Sequence, residues 1–132
     1  MRISRSTGYA LLAVGHIAKN RDQGIILSQN IAKEYDIPLE YLLKILQQLV
    51  KANILRSKKG PHGGFSLAKQ PKKITLLEIV EAVEGPMISS LYLAEQSHGK
   101  KIGIRVDKIS AKAIAQAKTV FEKAKLADLI RG

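Results

Sequence analysis

The sequence predicts a mainly α chain with one small β-hairpin, an α+β class, and three observations carry that prediction. Apolar residues recur at helical spacing over most of the chain, and the period changes only between Ile54 and Ala68. The change surrounds Lys59-Gly60-Pro61-His62-Gly63-Gly64, whose three glycines and proline suit a hairpin loop. Near the carboxyl end, Ala113, Ala117, Val120, Ala124 and Ala127 follow a 4-3-4-3 spacing, a coiled-coil-like seam of small residues.

Taken in order, Tyr9 to Lys19 reads as a first helix, with Ser4 or Ser6 as a cap. Asn20 to Gly24 is a polar turn, and Ile25 to Leu27 is a short apolar run with the look of a small strand. Ser28 suits the N-cap of a helix through Tyr35, with Ile31 and Ala32 facing inward. Pro38 suits the first position of a third helix, which runs to about Ala52. Leu42, Ile45, Leu46 and Leu49 form its buried stripe, leaving Leu39, Glu40, Leu43, Lys44, Gln47, Gln48 and Lys51 on other faces. Ile54–Lys58 and Phe65–Ala68 are the two strands of the hairpin. Thr75-Leu76-Leu77-Glu78 is a capping-box pattern, opening a fourth helix that ends near Gly85-Pro86. Residues 87–108 read as a short helix and then a loop around His98 to Gly103. A long helix is expected from Ser110 to about Ile130, its seam flanked by Phe121.

Composition narrows the function. The 132 residues suffice for one domain with an arm, and 45% hydrophobic with 25% charged residues is a globular balance. There is no cysteine, which excludes disulfides, a thiolate nucleophile and cysteine-ligated zinc or iron–sulfur sites. Lys and Arg outnumber Asp and Glu by 22 to 11, a formal +11 that would gather polyanions. The excess is uneven: residues 1–73 carry 13 basic and 4 acidic groups, a net of +9, against 9 and 7, a net of +2, in residues 74–132. The anion-binding face is therefore expected in the first half. No apolar run approaches the length of a membrane span, so no membrane partner and a cytoplasmic location are expected.

Helix, helix, Pro-started helix, Gly-rich hairpin, helix is the order of a winged helix-turn-helix. The expected division is a DNA-binding domain at 1–85, with the helix-turn-helix at about 28–51 and the wing at about 55–68, followed by a linker and a long dimerisation helix at 86–132. The helix from Pro38 would enter a major groove and present Leu39, Glu40, Leu43 and Lys44 to base edges, with Tyr41 reaching a phosphate. Ser28 would open the first helix of the pair. At the wing, glycines let the backbone approach the sugar–phosphate chain, so Lys58, Lys59, Gly60, Pro61, His62 and Gly63 are candidate contacts. Taken singly, each feature has a plainer reading: Lys58-Lys59 as a solvated turn, Tyr41 as a half-buried core ring, the alanine seam as packing within the monomer.

The chain resembles the winged-helix regulators of the IscR-like, Rrf-two type. The resemblance runs from Met1-Arg2-Ile3-Ser4 and Tyr9-Ala10-Leu11, through Ile37-Pro38-Leu39-Glu40-Tyr41-Leu42, to the wing stretch Lys59 to Ala68. It continues over Ile74-Thr75-Leu76 and Glu78 to Gly85, and ends at Leu126-Ala127-Asp128-Leu129-Ile130. It implies a homodimeric bacterial transcription factor, expected to be a repressor. The long helix, through Ala113, Ala117, Val120, Phe121, Ala124 and Ala127, would cross between protomers. Two recognition helices and two wings would then meet a pseudo-palindromic operator in double-stranded DNA. Arg2 and Tyr9 would lie where the amino terminus nears the DNA backbone. Many members hold an iron–sulfur cluster through three cysteines just before the long helix. Here Met87 to Asp107 contains none, Ser89, Ser90 and Ser97 are poor ligands, and a lone His98 cannot hold a cluster. The resemblance is thus to a cluster-free member with no cofactor, whose signal would be a small molecule or a protein partner. Lys59 stands where the wing usually carries Arg, and Leu43 where some relatives carry a polar recognition side chain.

His16, His62 and His98 show no ligand spacing, and neither a Ser/His/Asp arrangement nor a carboxylate pair stands out, so neither a metal nor an enzyme is expected. Two alternatives to a sequence-reading regulator stay open: a winged helix that binds another protein, and a sequence-neutral coat protein for nucleic acid.

Overall fold

A computed structural model describes residues 2–89 and 91–131 of the chain. The elements are helices α1 (Arg5–Lys19), α2 (Ser28–Tyr35) and α3 (Leu39–Lys51), strands β1 (Leu55–Lys58) and β2 (Gly64–Leu67), then α4 (Leu76–Glu84), α5 (Leu93–Gln96), α6 (Lys101–Lys123) and α7 (Leu126–Leu129). Short 3-10 turns occupy Arg21–Gln23 and Pro71–Lys73. This is the expected mainly α arrangement with a two-stranded antiparallel hairpin, in which Leu55 pairs with Leu67 and Lys58 with Gly64.

The core forms where the helical stripes meet. Ala10, Ala13, Val14 and Ile17 of α1 pack with Ile31 of α2, the Leu42/Ile45/Leu46/Leu49 stripe of α3 and Ile79 of α4, all buried. Both helices of the helix-turn-helix end on a residue with left-handed backbone. Asp36 (φ 53°) and Asn53 (φ 62°) reverse the chain, and Ile37 N–H and Ile54 N–H reach back to the carbonyls of Ala32 and Leu49 at 2.9 and 3.0 Å. The second reversal aims the chain directly into β1. The apolar run at Ile25–Leu27 forms a single bridge rather than a strand: Ile26 and Phe65 exchange backbone hydrogen bonds at 2.9 and 2.8 Å, stitching the wing to the helical body.

Four expectations are corrected. First, α1 begins at Arg5, earlier than Tyr9, because Ser4 caps it: Ser4 Oγ accepts from Thr7 N–H at 3.3 Å. Second, Ser28 is not a cap. Leu27 occupies the cap position without a side-chain bond, and Ser28 is the first helical residue. Third, Pro38 stands one place before the helix, its carbonyl accepting from Leu42 N–H at 2.9 Å. Fourth, the long helix spans Lys101 to Lys123, not Ser110 to Ile130. It starts early because Gly103 allows a contact that a side chain would forbid: a Cβ there would lie 2.2 Å from both the Leu93 carbonyl oxygen and Ser97 Oγ. It stops early because Ala124 adopts extended backbone, its carbonyl accepting from Leu76 N–H at 2.9 Å while Leu126 N–H donates to Ile74 at 2.8 Å. That pairing carries Leu126 fully into the core. The seam therefore breaks after Val120 and Phe121: Ala124 lies in the break and Ala127 on α7.

The capping box forms as expected, with Glu78 N–H on Thr75 Oγ1 at 3.0 Å and Thr75 N–H on Glu78 Oε1 at 3.2 Å. Among the described residues no helix is long and apolar enough to cross a membrane.

Candidate nucleic-acid interface

Three elements meet at one cleft of about 600 Å3. The start of α2 contributes Leu27, Ser28 and Gln29, α3 contributes Gln47, and the wing contributes Ser57, Lys58, Lys59, Gly60, Pro61, Gly63 and Gly64. Its lining contains two lysines and no carboxylate. The local sequence explains this meeting. The Ile26–Phe65 bridge fixes the wing beside the α2 start, and the Asn53 reversal swings β1 alongside α3. At the tip, Gly63 is required by close approach, since a Cβ would stand 2.1 Å from the Lys58 carbonyl oxygen. Gly63 N–H closes the turn on the Gly60 carbonyl at 2.9 Å.

Of the sequence-predicted residues, Ser28, Lys58, Lys59, Gly60, Pro61 and Gly63 are thus brought together. His62 is exposed at the wing tip but outside the cleft lining. Leu39, Glu40, Tyr41 and Lys44 are exposed on α3. Leu43, expected on the reading face, is half-buried and packs against the core. The Tyr41 hydroxyl is hydrogen-bonded to Ser6 Oγ, and its ring meets Tyr9 edge-on at 5.7 Å, tying α3 to the start of α1. Arg2 lies apart, lining a small cavity with Glu84, Pro86 and Ile114. Met1 and Ser90 lie outside the described residues. The α3 residue that the sequence reading passed over is Gln47. It follows Lys44 by three positions on the same exposed face, so continuing the helical period would have found it.

The amino terminus is held by charge-assisted bonds. Glu84 Oε1 accepts from Ser4 N–H at 2.9 Å, from Ser4 Oγ, and from the buried Thr7 Oγ1 at 2.5 Å. The Ser4 hydroxyl, the Thr7 hydroxyl and the Ser4 amide hold the Glu84 carboxyl below its ordinary range. Burial alone would raise Glu78, but hydrogen bonds from Lys69 and Thr75, with the Lys69 charge, lower it.

On α6, Ala117 and Phe121 are half-buried, on the side that carries Ser110, Ile114 and Lys118. Lys118 pairs weakly with Glu81 of α4 at 3.9 Å. The adjoining side is bare: Ile102 is 71%, Ile109 69% and Val120 67% exposed, with Val106 and Ala113 also exposed between them. The stretch ahead of α6 is held by hydrogen bonds. Asp107 accepts from Leu93 N–H and Ala94 N–H at 2.9 and 2.7 Å, and Ser89 Oγ shares a bond with Ser110 Oγ at 2.8 Å. Ser97 Oγ donates to the Ala94 carbonyl at 3.3 Å. Among the described residues no three of His, Cys, Asp and Glu stand together as metal ligands.

Comparison with known proteins agrees with this geometry. A family model described as Rrf2, iron-dependent transcriptional regulator, matches residues 3–132. An HTH-type transcriptional regulator of Aquifex aeolicus is 44% identical over 61% of this chain and 56% of its own length. BadM of Rhodopseudomonas palustris, described likewise, is 38% identical over 74% of this chain and 62% of its own. The chain thus spans little more than half of each of these two relatives. CymR of Bacillus subtilis is 26% identical over 97% of this chain and 93% of its own. Among solved structures, oxidized Staphylococcus aureus CymR superposes with a TM-score of 0.71 at 26% identity, covering 100% of this chain and 98% of that one. A Listeria innocua transcriptional regulator gives 0.74 at 27% identity, over 98% and 86%. The iron in the family's description finds no fitting donor set between Met87 and Asp107. That stretch has no cysteine, and Ser89, Ser97 and Asp107 are engaged in the hydrogen bonds given above. In sequence over nearly its full length, and in winged-helix fold, the chain belongs to the Rrf2 family.

Proposed function

We propose that the chain is a homodimeric, sequence-specific DNA-binding regulator of transcription. In this reading it represses in the cytoplasm without an iron–sulfur cluster, carries out no catalysis and answers to a small molecule or a protein partner. The observation that carries it is the convergence of the α2 start, α3 and the wing on a single cleft lined by Lys58 and Lys59 and by no carboxylate. Cations and a close-approaching glycine backbone supply phosphate contacts, which fix register. Lys44 and Gln47, exposed on α3, supply the side chains suited to guanine and adenine edges. Arg2 and His62 are outlying backbone contacts in this scheme, and Leu39 and Glu40 flank the readout.

Dimerisation is supported by α6. A 23-residue helix with only Gly103 buried does not hold itself up as a monomer element. Its bare side reads Ile102, Val106, Ile109, Ala113 and Val120, a stripe at heptad-like spacing that extends the expected seam toward the amino end. Ala117 and Phe121 border that stripe, and Ala124 and Ala127 would act only by anchoring the end of the helix. Two copies joined so would present two wings and two α3 helices to a pseudo-palindromic site in double-stranded DNA.

The test is selection of bound duplexes from a random pool at physiological salt. A two-fold-symmetric motif is the expected result. Binding with no enrichment and a steep salt dependence would replace the reading with a sequence-neutral coat protein.

A further inference from the structure

We propose that a second basic cleft, between Lys19, Arg21, Lys72 and Arg131, is a binding site for a phosphorylated small molecule. This deepens the regulator reading and rests on it for its consequence. The cavity is about 610 Å3, within the size range of small-ligand sites. Four cations border it and no carboxylate does. Lys19, Arg21 and Lys72 make no ion pair among the described residues, and Arg131 has only a long, exposed contact with Asp128 at 3.8 Å. Like charges set around one cavity repel each other, and an anion between them removes that cost. Pro71 and Ile130 give the cavity apolar wall, so an anion with an attached apolar or ring portion fits better than a bare ion.

Position separates this cleft from the DNA face. Tyr41 of α3 meets α1 at Ser6 and Tyr9, whereas Lys19 ends α1, about 15 Å further along the axis. The wing tip points its lysines into a different cavity. What the cleft does join is the body and the carboxyl segment. Lys19, Arg21 and Lys72 belong to the helical body, while Ile130 and Arg131 follow α7. That segment is fastened through the Ala124–Leu76 and Leu126–Ile74 backbone bonds that also terminate α6. An anion bridging Lys72 and Arg131 would tighten this fastening and fix the direction in which α6 leaves the body. In the proposed dimer that direction sets the spacing of the two DNA-binding halves.

The experiment titrates inorganic pyrophosphate and ATP into the full chain by calorimetry at fixed ionic strength. The variants are Lys72→Ala/Arg131→Ala and, as a control, the wing pair Lys58→Ala/Lys59→Ala. We expect one-site binding, weakened at least ~10-fold in the first pair and unchanged in the second. The first pair should keep wild-type DNA affinity and salt slope but lose any effect of ATP on DNA binding. If that pair folds poorly, Lys19→Gln at the exposed end of α1 takes its place. No binding of either probe, or equal weakening in both pairs, overturns the proposal. A DNA salt slope flatter by about two units in the first pair also overturns it, placing these cations on the DNA path. Retained anion binding by a chain that prefers no duplex sequence upholds the site and removes the regulator reading instead.

Discussion

Replacing Gly63 by alanine tests the wing most sharply. The added Cβ would sit 2.1 Å from the Lys58 carbonyl oxygen and 2.9 Å from that of Gly60. A relaxed carbon–oxygen contact is about 3.3 Å, so the Lys58 carbonyl has to retreat by roughly 1 Å. Lys58 is paired with Gly64 at the end of the ladder, and Gly63 N–H closes the turn at 2.9 Å, so both features loosen together. Loss of the turn bond costs about 0.5–1.5 kcal/mol and overpacking about 1–3 kcal/mol, roughly 2–4 kcal/mol in all. The tip is solvent-exposed, with Lys58 to His62 all open to water, so the hairpin can yield locally without unfolding the helical core. The expected outcome is a loss of DNA affinity of about 10–100-fold by fluorescence anisotropy, with only a small fall in Tm. Amide exchange should quicken at Lys58 and Gly63 and stay slow in α3. Gly15→Ala is the control: a Cβ there meets nothing within 4 Å, so inside α1 it should be neutral or stabilise by up to about 1 kcal/mol. A Gly63→Ala protein that binds DNA like wild type would show that the wing conformation is irrelevant to binding. It would remove the main support for the interface.

Other outcomes follow from the same geometry. Lys44→Ala should weaken the selected site by about 1–3 kcal/mol if Lys44 reads a guanine, and an equal loss on random duplex would make it a phosphate contact only. Val120→Glu should dissociate the dimer in light scattering by placing a charge on the bare α6 stripe; a dimer that survives would refute that face. Leu126→Ala empties a fully buried site and should cost about 2–5 kcal/mol in denaturant unfolding. Glu84 has a folded pKa held below its ordinary 4.5, so its contribution to stability is present above that value and fades as pH falls through the lower folded one. Glu84→Gln should therefore unfold with a shallower acid limb; parallel curves for variant and wild type would show that the bonds Glu84 accepts from Ser4 and Thr7 add no pH-dependent stability.

Local chemistry wrote much of this protein legibly into its sequence. The α3 stripe, the Thr75–Glu78 capping box and the Gly-rich hairpin depend on neighbours within a few residues, and each forms where the residues say. The net +9 of residues 1–73 is fixed by composition, but the direction its cations face is not: Lys58 and Lys59 line the wing cleft, whereas Lys19, Arg21 and Lys72 line another. What the sequence misled on was set by distant partners. The alanine period runs on past Val120, yet the helix stops at Lys123, because backbone pairing with Ile74 and Leu76 and burial of Leu126 outweigh helical continuity. Gly103 looks like a helix breaker, but α5 packs so closely that only glycine fits inside α6. Tyr41 reads as a free hydroxyl until Ser6, 35 positions away, is folded against it. The basic cleft left no local signature either, since Lys19 and Arg21, Lys72, and Arg131 come from three distant stretches of sequence. Spacing of a few residues fixes helices, turns and caps; only tertiary packing decides where a helix must end and which distant charges face one cavity.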